Sequence, residues 1–152
     1  LMRQTMTMIL GLALGAFSGL AHATGEKWTS EFGQGVYVAE VKHGPGNSIS
    51  VICGEDYGPG MTGIEFRLAG RRVKDSVFLI FDQEDPVNIW VGDGKITTEC
   101  RACNSNYHSV LERLVRHDSV YVMDKEGVGT RFSLIGSSEK IDQDCKTDWA
   151  KF

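Results

Sequence analysis

Four cysteines are the residues of this chain whose type and spacing could do chemistry. Cys100 and Cys103 enclose Arg101 and Ala102 just ahead of a helical pattern, so they form a Cys-x-x-Cys motif. A helix N-terminus lowers the pKa of a cysteine thiol and favours a redox couple at this spacing. The pattern therefore raises thiol–disulfide chemistry as one hypothesis.

The rest of the chain gives that hypothesis little support. A thioredoxin-like domain needs a βαβ unit around the motif and a cis-proline after it, whereas all three prolines precede Cys100. We therefore expect a structural bridge with a potential below about −300 mV, and keep a thiol–disulfide protein using Cys100 and Cys103 as the alternative.

Metal binding is a second hypothesis for the same motif. Cys100, Cys103 and His108, completed by Cys145 or His117, offer the nitrogen and sulfur ligands that zinc prefers. The chain lacks a second Cys-x-x-Cys and a His-x-x-x-His at finger spacing, and an oxidising compartment converts paired thiols into disulfides. We expect no metal and no cofactor, with both histidines solvated.

The N-terminal residues predict export. Arg3 supplies a positive charge, Met8 to Leu20 form an apolar run too short to span a bilayer, and Ala21-His22-Ala23 resembles a signal-peptidase site. The prediction is a signal peptide over 1–23 and a single periplasmic or secreted domain over 24–152, beginning at Thr24 and without a transmembrane segment.

Export makes the even number of cysteines a disulfide framework. We favour Cys53 with Cys145 and Cys100 with Cys103, because the first pair would tie an early strand to the tail and the second would follow by proximity. The rival pairing joins Cys53 to one member of the motif and Cys145 to the other. A long-range bridge should contribute roughly 4 kcal/mol in the chain-entropy model.

The charge of the chain disfavours nucleic acid as a partner. The 152 residues carry a formal net charge of −4 at pH 7, and loss of Arg3 with the signal peptide makes the mature chain slightly more acidic. The length is typical of a single domain with one core.

Alternating apolar residues predict mostly strands. Val36 to Val41 and Ser48 to Cys53 flank a Gly-Pro-Gly-Asn turn, which is a hairpin pattern. Further strands are expected near Ile64 to Leu68 and in five later segments: 76–81 in the middle of a sheet, 88–91 and 95–99 as a second hairpin around Asp93-Gly94, and 120–123 and 131–135 around a polar turn.

One helix interrupts the strands. Apolar residues at helical spacing define one face, and polar residues occupy the opposite face, so the helix should span about 105–116 and pack on a sheet. Its N-cap is expected at Asn104, Ser105 or Asn106, and a short helical turn should follow Ser137. The apolar residues are Tyr107, Val110, Leu111, Leu114 and Val115. The fold class is mainly β: a small sandwich or partly closed barrel of about seven to eight strands, stabilised by disulfides.

No catalytic arrangement is evident, and we assign no catalytic residue. The acidic loop 82–85 is followed by Pro86 where a calcium-binding loop would continue, so a solvated turn is expected. The pairs Glu55-Asp56 and Asp142/Asp144 show no sign of the burial that glycosidase carboxylates need.

The last third of the chain resembles the small exported proteins of the invasion-associated locus B type. The resemblance rests on the early Trp28, the helix over 107–114 and the element Phe132-Ser133-Leu134-Ile135-Gly136, and mainly covers 103–141. The chain departs from that pattern because no cysteine follows Trp28 before Cys53. The resemblance implies a non-enzymatic β domain linked to the cell envelope or to host contact.

The leading functional hypothesis is an exported interaction protein, which could include an inhibitor of a secreted hydrolase such as a lysozyme. Rigid aromatic side chains dominate binding surfaces. Tyr57, in a glycine-rich loop, and Trp90, beside the Asp93-Gly94 turn, are the candidate binding residues.

Overall fold

The computed structural model describes residues 26–54 and 59–147, so the predicted signal peptide and Tyr57 lie outside the described residues. The described residues form ten strands, two helices and a 3₁₀ turn at Pro59–Met61. The elements in chain order are β1 Thr29–Gly33, β2 Val36–Lys42, β3 Ser48–Cys53, β4 Gly63–Leu68, β5 Arg71–Arg72, β6 Asp75–Phe81, β7 Val87–Gly92, β8 Lys95–Thr97, α1 Arg101–Arg116, β9 Ser119–Asp124, β10 Gly129–Ser133 and α2 Ser137–Lys140.

Two antiparallel sheets confirm the mainly β, sandwich-like fold class. One sheet has the order β1-β2-β3-β4-β5 with β8 also paired to β4, and the other has the order β10-β9-β6-β7. Neither sheet closes into a barrel. The strands outnumber the seven to eight expected because the pattern did not reveal β1 or the two-residue β5.

The first predicted hairpin is confirmed. Strands β2 and β3 pair from Lys42 with Ser48 to Tyr37 with Cys53. The turn between them needs a glycine, because Gly46 has a φ of +80° and a Cβ there would lie 2.5 Å from the backbone nitrogen of Gly70. The same turn thereby packs against the β4–β5 connection.

The second predicted hairpin is wrong. The chain does turn, since the N–H of Gly94 donates to the carbonyl of Val91 at 2.8 Å, but β7 pairs with β6 and β8 pairs with β4 in the other sheet. Gly63 permits this close approach of β8, because a Cβ there would lie 2.4 Å from the Ile96 carbonyl oxygen. The turn therefore carries the chain from one sheet to the other.

Helix α1 has the predicted apolar face but an earlier start. Tyr107, Val110, Leu111 and Leu114 are buried, whereas the N-cap is Cys100 and not Asn104, Ser105 or Asn106. The carbonyl of Cys100 already accepts the N–H of Asn104 at 2.8 Å, so the Cys-x-x-Cys segment forms the first helical turn.

A single buried apolar cluster joins both sheets and α1, from Trp28 near the start of the described chain to Ile141 near its end. The short helix predicted after Ser137 is confirmed as α2. No helix among the described residues has the length and apolar character needed to cross a membrane.

Candidate functional site

Among the residues that the structure describes, Trp90 on β7 is a largely exposed aromatic side chain beside a concave surface. Ile89 and Val91 are buried while Asn88 and Trp90 point outward, because successive side chains of a strand alternate between its faces. Trp90 is 67% exposed. Of the two candidate binding residues, it is the one the structure describes, and its position suits contact with a partner.

A groove of about 470 Å³ opens beside this side chain. The end of β7 and the turn after it line one part, the first turns of α1 line another, and β8 supplies the rest. We call it the Trp90 groove, lined by Glu65, Arg72, Trp90 to Asp93, Lys95 to Thr97, Cys100, Ala102, Cys103 and Asn106.

Charges of both signs border the Trp90 groove. Arg72 Nη2 lies 3.3 Å from Glu65 Oε2, and Asp93 and Lys95 also line the groove. Gly94 makes room for the arginine, because a Cβ at this φ of +118° would lie 2.0 Å from Arg72 Cδ. Sequence reasoning missed Glu65 and Arg72, since no pattern indicates that β5 lies beside Gly94.

The Cys100–Cys103 disulfide lies in the first turn of α1 and also lines the Trp90 groove. Cys100 is exposed and Cys103 is half-buried. The Cys100 sulfur accepts the backbone N–H of Cys103 at 3.0 Å, and the first turn of α1 contains no acidic side chain. The bridge therefore combines an exposed cysteine with a position at the N-terminus of α1.

The Cys53–Cys145 disulfide has a different setting. Both cysteines are 5% exposed, and the bridge joins the end of β3 to the segment after α2 across a sequence separation of 92. The structure thus has the pairing favoured from the sequence. In the chain-entropy model a loop of this length contributes roughly 4 to 5 kcal/mol, whereas the four-residue Cys100–Cys103 loop contributes roughly 2.

Comparison with known proteins identifies the family. A YfjT family model matches residues 26–141 of the chain. The chain belongs to the YfjT family. In the two other comparisons, no curated protein and no solved structure matched it. The YfjT match includes Trp90 and the Cys100–Cys103 bridge, and it ends before Cys145.

In this YfjT-family chain the acidic loop 82–85 has a structural role, because Asp82 binds residues at the end of α1 and just after it. Asp82 accepts the backbone N–H of Ser119 at 2.8 Å and of Asp118 at 3.3 Å, and its Oδ2 lies 2.9 Å from His117 Nδ1. Partial desolvation acts to raise the pKa of Asp82, but the hydrogen bonds from His117, Asp118 and Ser119 outweigh it and hold this pKa below its usual value. The loop is thereby fixed to the end of α1.

The two histidines have different environments. His108 is exposed, as predicted. The prediction of a solvated His117 is wrong: it is half-buried, and its Nε2 also lies 3.3 Å from Glu84 Oε1. The carboxylates of Asp82 and Glu84 therefore contact His117 at the end of α1, and sequence spacing alone does not reveal this contact.

The remaining candidates for metal or acid–base chemistry do not converge in the described part of the chain. The four cysteines are joined in two bridges. In residues 26–54 and 59–147, no three His, Cys, Asp or Glu side chains are grouped so that they could hold a metal ion. Asp142 Oδ1 accepts the N–H of Asp144 at 3.0 Å, which is a local turn contact. Glu55 and Asp56 lie outside the described residues.

Proposed function

We propose that this YfjT-family chain is an exported interaction protein that binds a protein or envelope partner through the Trp90 groove. The observation that carries the proposal is the 67% exposure of Trp90 at the edge of this groove. Tryptophan and arginine are enriched among the residues that contribute most to binding, and Arg72 lines the same groove.

The composition of the groove supports a protein partner rather than nucleic acid. Glu65 and Asp93 place negative charge beside Arg72 and Lys95, whereas a phosphate backbone is bound by mainly positive surfaces. An apolar centre with a mixed polar rim is typical of protein interfaces. Inhibition of a secreted hydrolase is one form of this function, and envelope or host contact, implied by the resemblance to locus B proteins, is another.

Export is supported by the pattern of residues 1–23 and by two disulfides, which persist in oxidising compartments. The intact mass of protein recovered from the periplasm or the medium should match a chain that begins at Thr24. A membrane-retained precursor that still carries Leu10 to Leu20 would overturn the export proposal.

Binding through the groove is tested by affinity capture from periplasmic extract with three forms of the mature protein. Trp90→Ala removes the proposed contact, and Phe32→Ala is the matched control, since Phe32 is 74% exposed and does not line the groove. A specific partner should be retained by wild type and Phe32→Ala, and its Kd should rise at least tenfold with Trp90→Ala. Retention by all three forms, or equal loss in both variants, contradicts the proposal.

The inhibitor form has its own test. Purified mature protein is added to a lysozyme assay on cell walls, with Trp90→Ala and Phe32→Ala in parallel. Inhibition that Trp90→Ala removes and Phe32→Ala keeps would identify a hydrolase as the partner. Lysozyme activity that no form changes directs the search to envelope or host partners instead.

A further inference from the structure

The two disulfides differ in how solvent and other molecules reach them. The sulfurs of Cys53 and Cys145 belong to side chains that are 5% exposed, whereas Cys100 is exposed and lines an open groove with Cys103. An external thiolate must contact a sulfur atom directly to exchange with a disulfide. Exchange in the folded protein is therefore restricted to the Cys100–Cys103 bridge.

We propose that Cys100–Cys103 is a redox-active disulfide that oxidises dithiols on polypeptide substrates. This activity goes beyond partner binding and uses a different chemical group. It is carried by the placement of an exposed Cys-x-x-Cys bridge in the first turn of a 16-residue helix and in the wall of the Trp90 groove.

The surroundings of Cys100 stabilise the reduced form. When the bridge is open, the N–H of Cys103, which lies 3.0 Å from the Cys100 sulfur, is placed to donate to a thiolate there. The helix N-terminus favours that negative charge, and the first turn has no carboxylate to oppose it. Glu99 and Arg101 flank Cys100 with opposite charges. A disulfide whose reduced form is stabilised is a stronger oxidant.

The reaction is a pair of thiol–disulfide exchanges. A substrate thiolate attacks the Cys100 sulfur, the Cys100–Cys103 bond breaks, and Cys103 leaves as a thiolate that takes a proton. The second substrate thiolate then attacks the substrate sulfur of the mixed disulfide, and Cys100 leaves as a thiolate. The substrate dithiol loses two electrons and two protons and becomes a disulfide. The two electrons reduce the Cys100–Cys103 bond, Cys103 takes one proton, and the other proton passes to solvent while Cys100 stays a thiolate.

The groove sets the substrate class. Trp90 offers an aromatic face beside the bridge, and β7 is an edge strand of its sheet, so an extended polypeptide segment can lie along it towards Cys100. A small dithiol does not use these contacts. Trp90→Ala should therefore slow oxidation of a peptide dithiol at least threefold more than it slows oxidation of dithiothreitol.

The first experiment uses the wild-type mature protein. It is exposed to reduced glutathione for increasing times, quenched with N-ethylmaleimide and analysed by peptide mapping, so that Cys53–Cys145 is an internal control. Cys100 and Cys103 should open at least tenfold faster than Cys53 and Cys145. Equal rates for the two bridges, or opening only under denaturing conditions, would overturn the proposal.

The second experiment assigns the reacting sulfur. Cys103→Ala and Cys100→Ala each leave one thiol of the pair, and each is mixed with a peptide whose single cysteine carries a 2-thiopyridyl group. Attack by the protein thiolate forms a mixed disulfide and releases pyridine-2-thione, which is followed by absorbance. Cys103→Ala should react at least tenfold faster than Cys100→Ala. Equal or reversed rates would show that the environment of Cys100 does not activate it.

Discussion

The indole N–H of Trp28 donates a hydrogen bond to the carbonyl oxygen of Ser133 at 3.1 Å, although the two residues are 105 positions apart. The carboxylate of Glu26 accepts the N–H of the same Ser133 at 2.7 Å. Ser133 ends β10, an edge strand of the four-stranded sheet, so two side chains satisfy backbone groups that a neighbouring strand would otherwise pair. The segment before β1 thereby fixes one edge of the second sheet.

Two tryptophans provide a matched test of that role. Trp28 is 1% exposed and Trp90 is 67% exposed. Trp28→Ala should lower the free energy of unfolding by about 3 to 5 kcal/mol, because it leaves a cavity and an unpaired Ser133 carbonyl. Trp90→Ala should stay within about 0.5 kcal/mol of wild type. Urea unfolding followed by circular dichroism measures both, and a similar cost for the two variants contradicts the assigned burial.

The apolar face of α1 is tested at Leu111 and Leu114. Both side chains are buried in the core, so Leu111→Ala and Leu114→Ala should each cost about 2 to 5 kcal/mol in urea unfolding. Ser109 is exposed on the same helix, and Ser109→Ala should change stability by less than about 0.5 kcal/mol. Destabilisation by Ser109→Ala comparable to that of Leu111→Ala would show that α1 packs through another face.

Arg113, on the polar face of α1, contacts two residues outside its helix. Its Nη1 lies 3.0 Å from Glu84 Oε2, and its guanidinium lies 5.7 Å from the centre of the Phe81 ring. A partly exposed ion pair and a cation–π contact together contribute on the order of 1 kcal/mol. Sequence spacing places Arg113 on the polar face, but it does not show what lies across from that face.

The sequence predicted the positions of the strands better than it predicted which strands pair with each other. Local alternation identified β2, β3 and β4, and a continuous apolar run identified β6, because a half-buried or buried strand imposes a pattern on neighbouring residues. Pairing is a long-range property. The turn at Asp93-Gly94 is compatible with a hairpin, but β8 pairs with β4 in the first sheet, where Ile96 lies opposite Ile64 and Gly63 leaves room for the Ile96 carbonyl oxygen.

For the candidate site, too, the sequence identified individual residues but not how they come together. Trp90 and the Cys-x-x-Cys motif were identified from residue type and local spacing. Their convergence on one groove depends on how β7, β8 and the start of α1 meet, and Arg72 enters it from a two-residue strand. Helix α1 also begins earlier than expected. The Cys100 sulfur accepts the N–H of Cys103 and so takes the role that a polar side chain was expected to play at the N-cap.

Stability at acid pH should depend on Asp82. Its pKa is held below the usual value in the folded state, so its contribution is present above pH 4 or so and is lost as pH falls through the folded pKa. The difference in unfolding free energy between wild type and Asp82→Asn should therefore be largest near neutrality and shrink towards acid pH. Glu112→Gln, at an exposed helix position, is the control. A difference that grows on acidification contradicts the assigned hydrogen bonds.

Stability at alkaline pH should depend on Tyr107. Burial, with a smaller contribution from the charge of Asp142, raises the pKa of Tyr107 to about 12. Its contribution is fully present below the unfolded pKa of about 10 and is lost as pH rises through the folded value. Tyr107→Phe should remove this part of the alkaline loss, measured by rapid pH-jump unfolding.

The same substitution has a second expected effect at neutral pH. Among the described residues, the Tyr107 hydroxyl is buried without a hydrogen-bond partner, so its removal should leave stability unchanged or raise it by about 1 kcal/mol. Tyr121→Phe, at a half-buried position on β9, is the control. A loss of more than about 2 kcal/mol in Tyr107→Phe would show that the hydroxyl has a partner.

The two disulfides should differ in reduction potential and in how much each contributes to the free energy of unfolding. The buried Cys53–Cys145 bridge closes the longer loop, so it should have a potential below about −300 mV, and its double serine variant should lose roughly 4 kcal/mol. The exposed Cys100–Cys103 bridge closes a four-residue loop at a helix N-terminus. In contrast to the structural bridge expected from the sequence alone, the redox proposal predicts a potential between about −120 and −270 mV, because Cys100 is exposed at the N-cap of α1. The Cys100→Ser/Cys103→Ser variant should lose roughly 2 kcal/mol or less.

Glutathione titration with alkylation gives the potentials, and urea unfolding of the two double variants gives the stabilities. The potential reports the relative stability of the reduced and oxidised forms, which thiolate stabilisation at Cys100 changes, whereas loop length dominates the entropic stabilisation of the fold. A purely structural Cys100–Cys103 bridge would also have a potential below about −300 mV. That result would remove the redox activity and leave the binding function at Trp90 untouched, because Trp90→Ala acts on partner affinity without changing either disulfide.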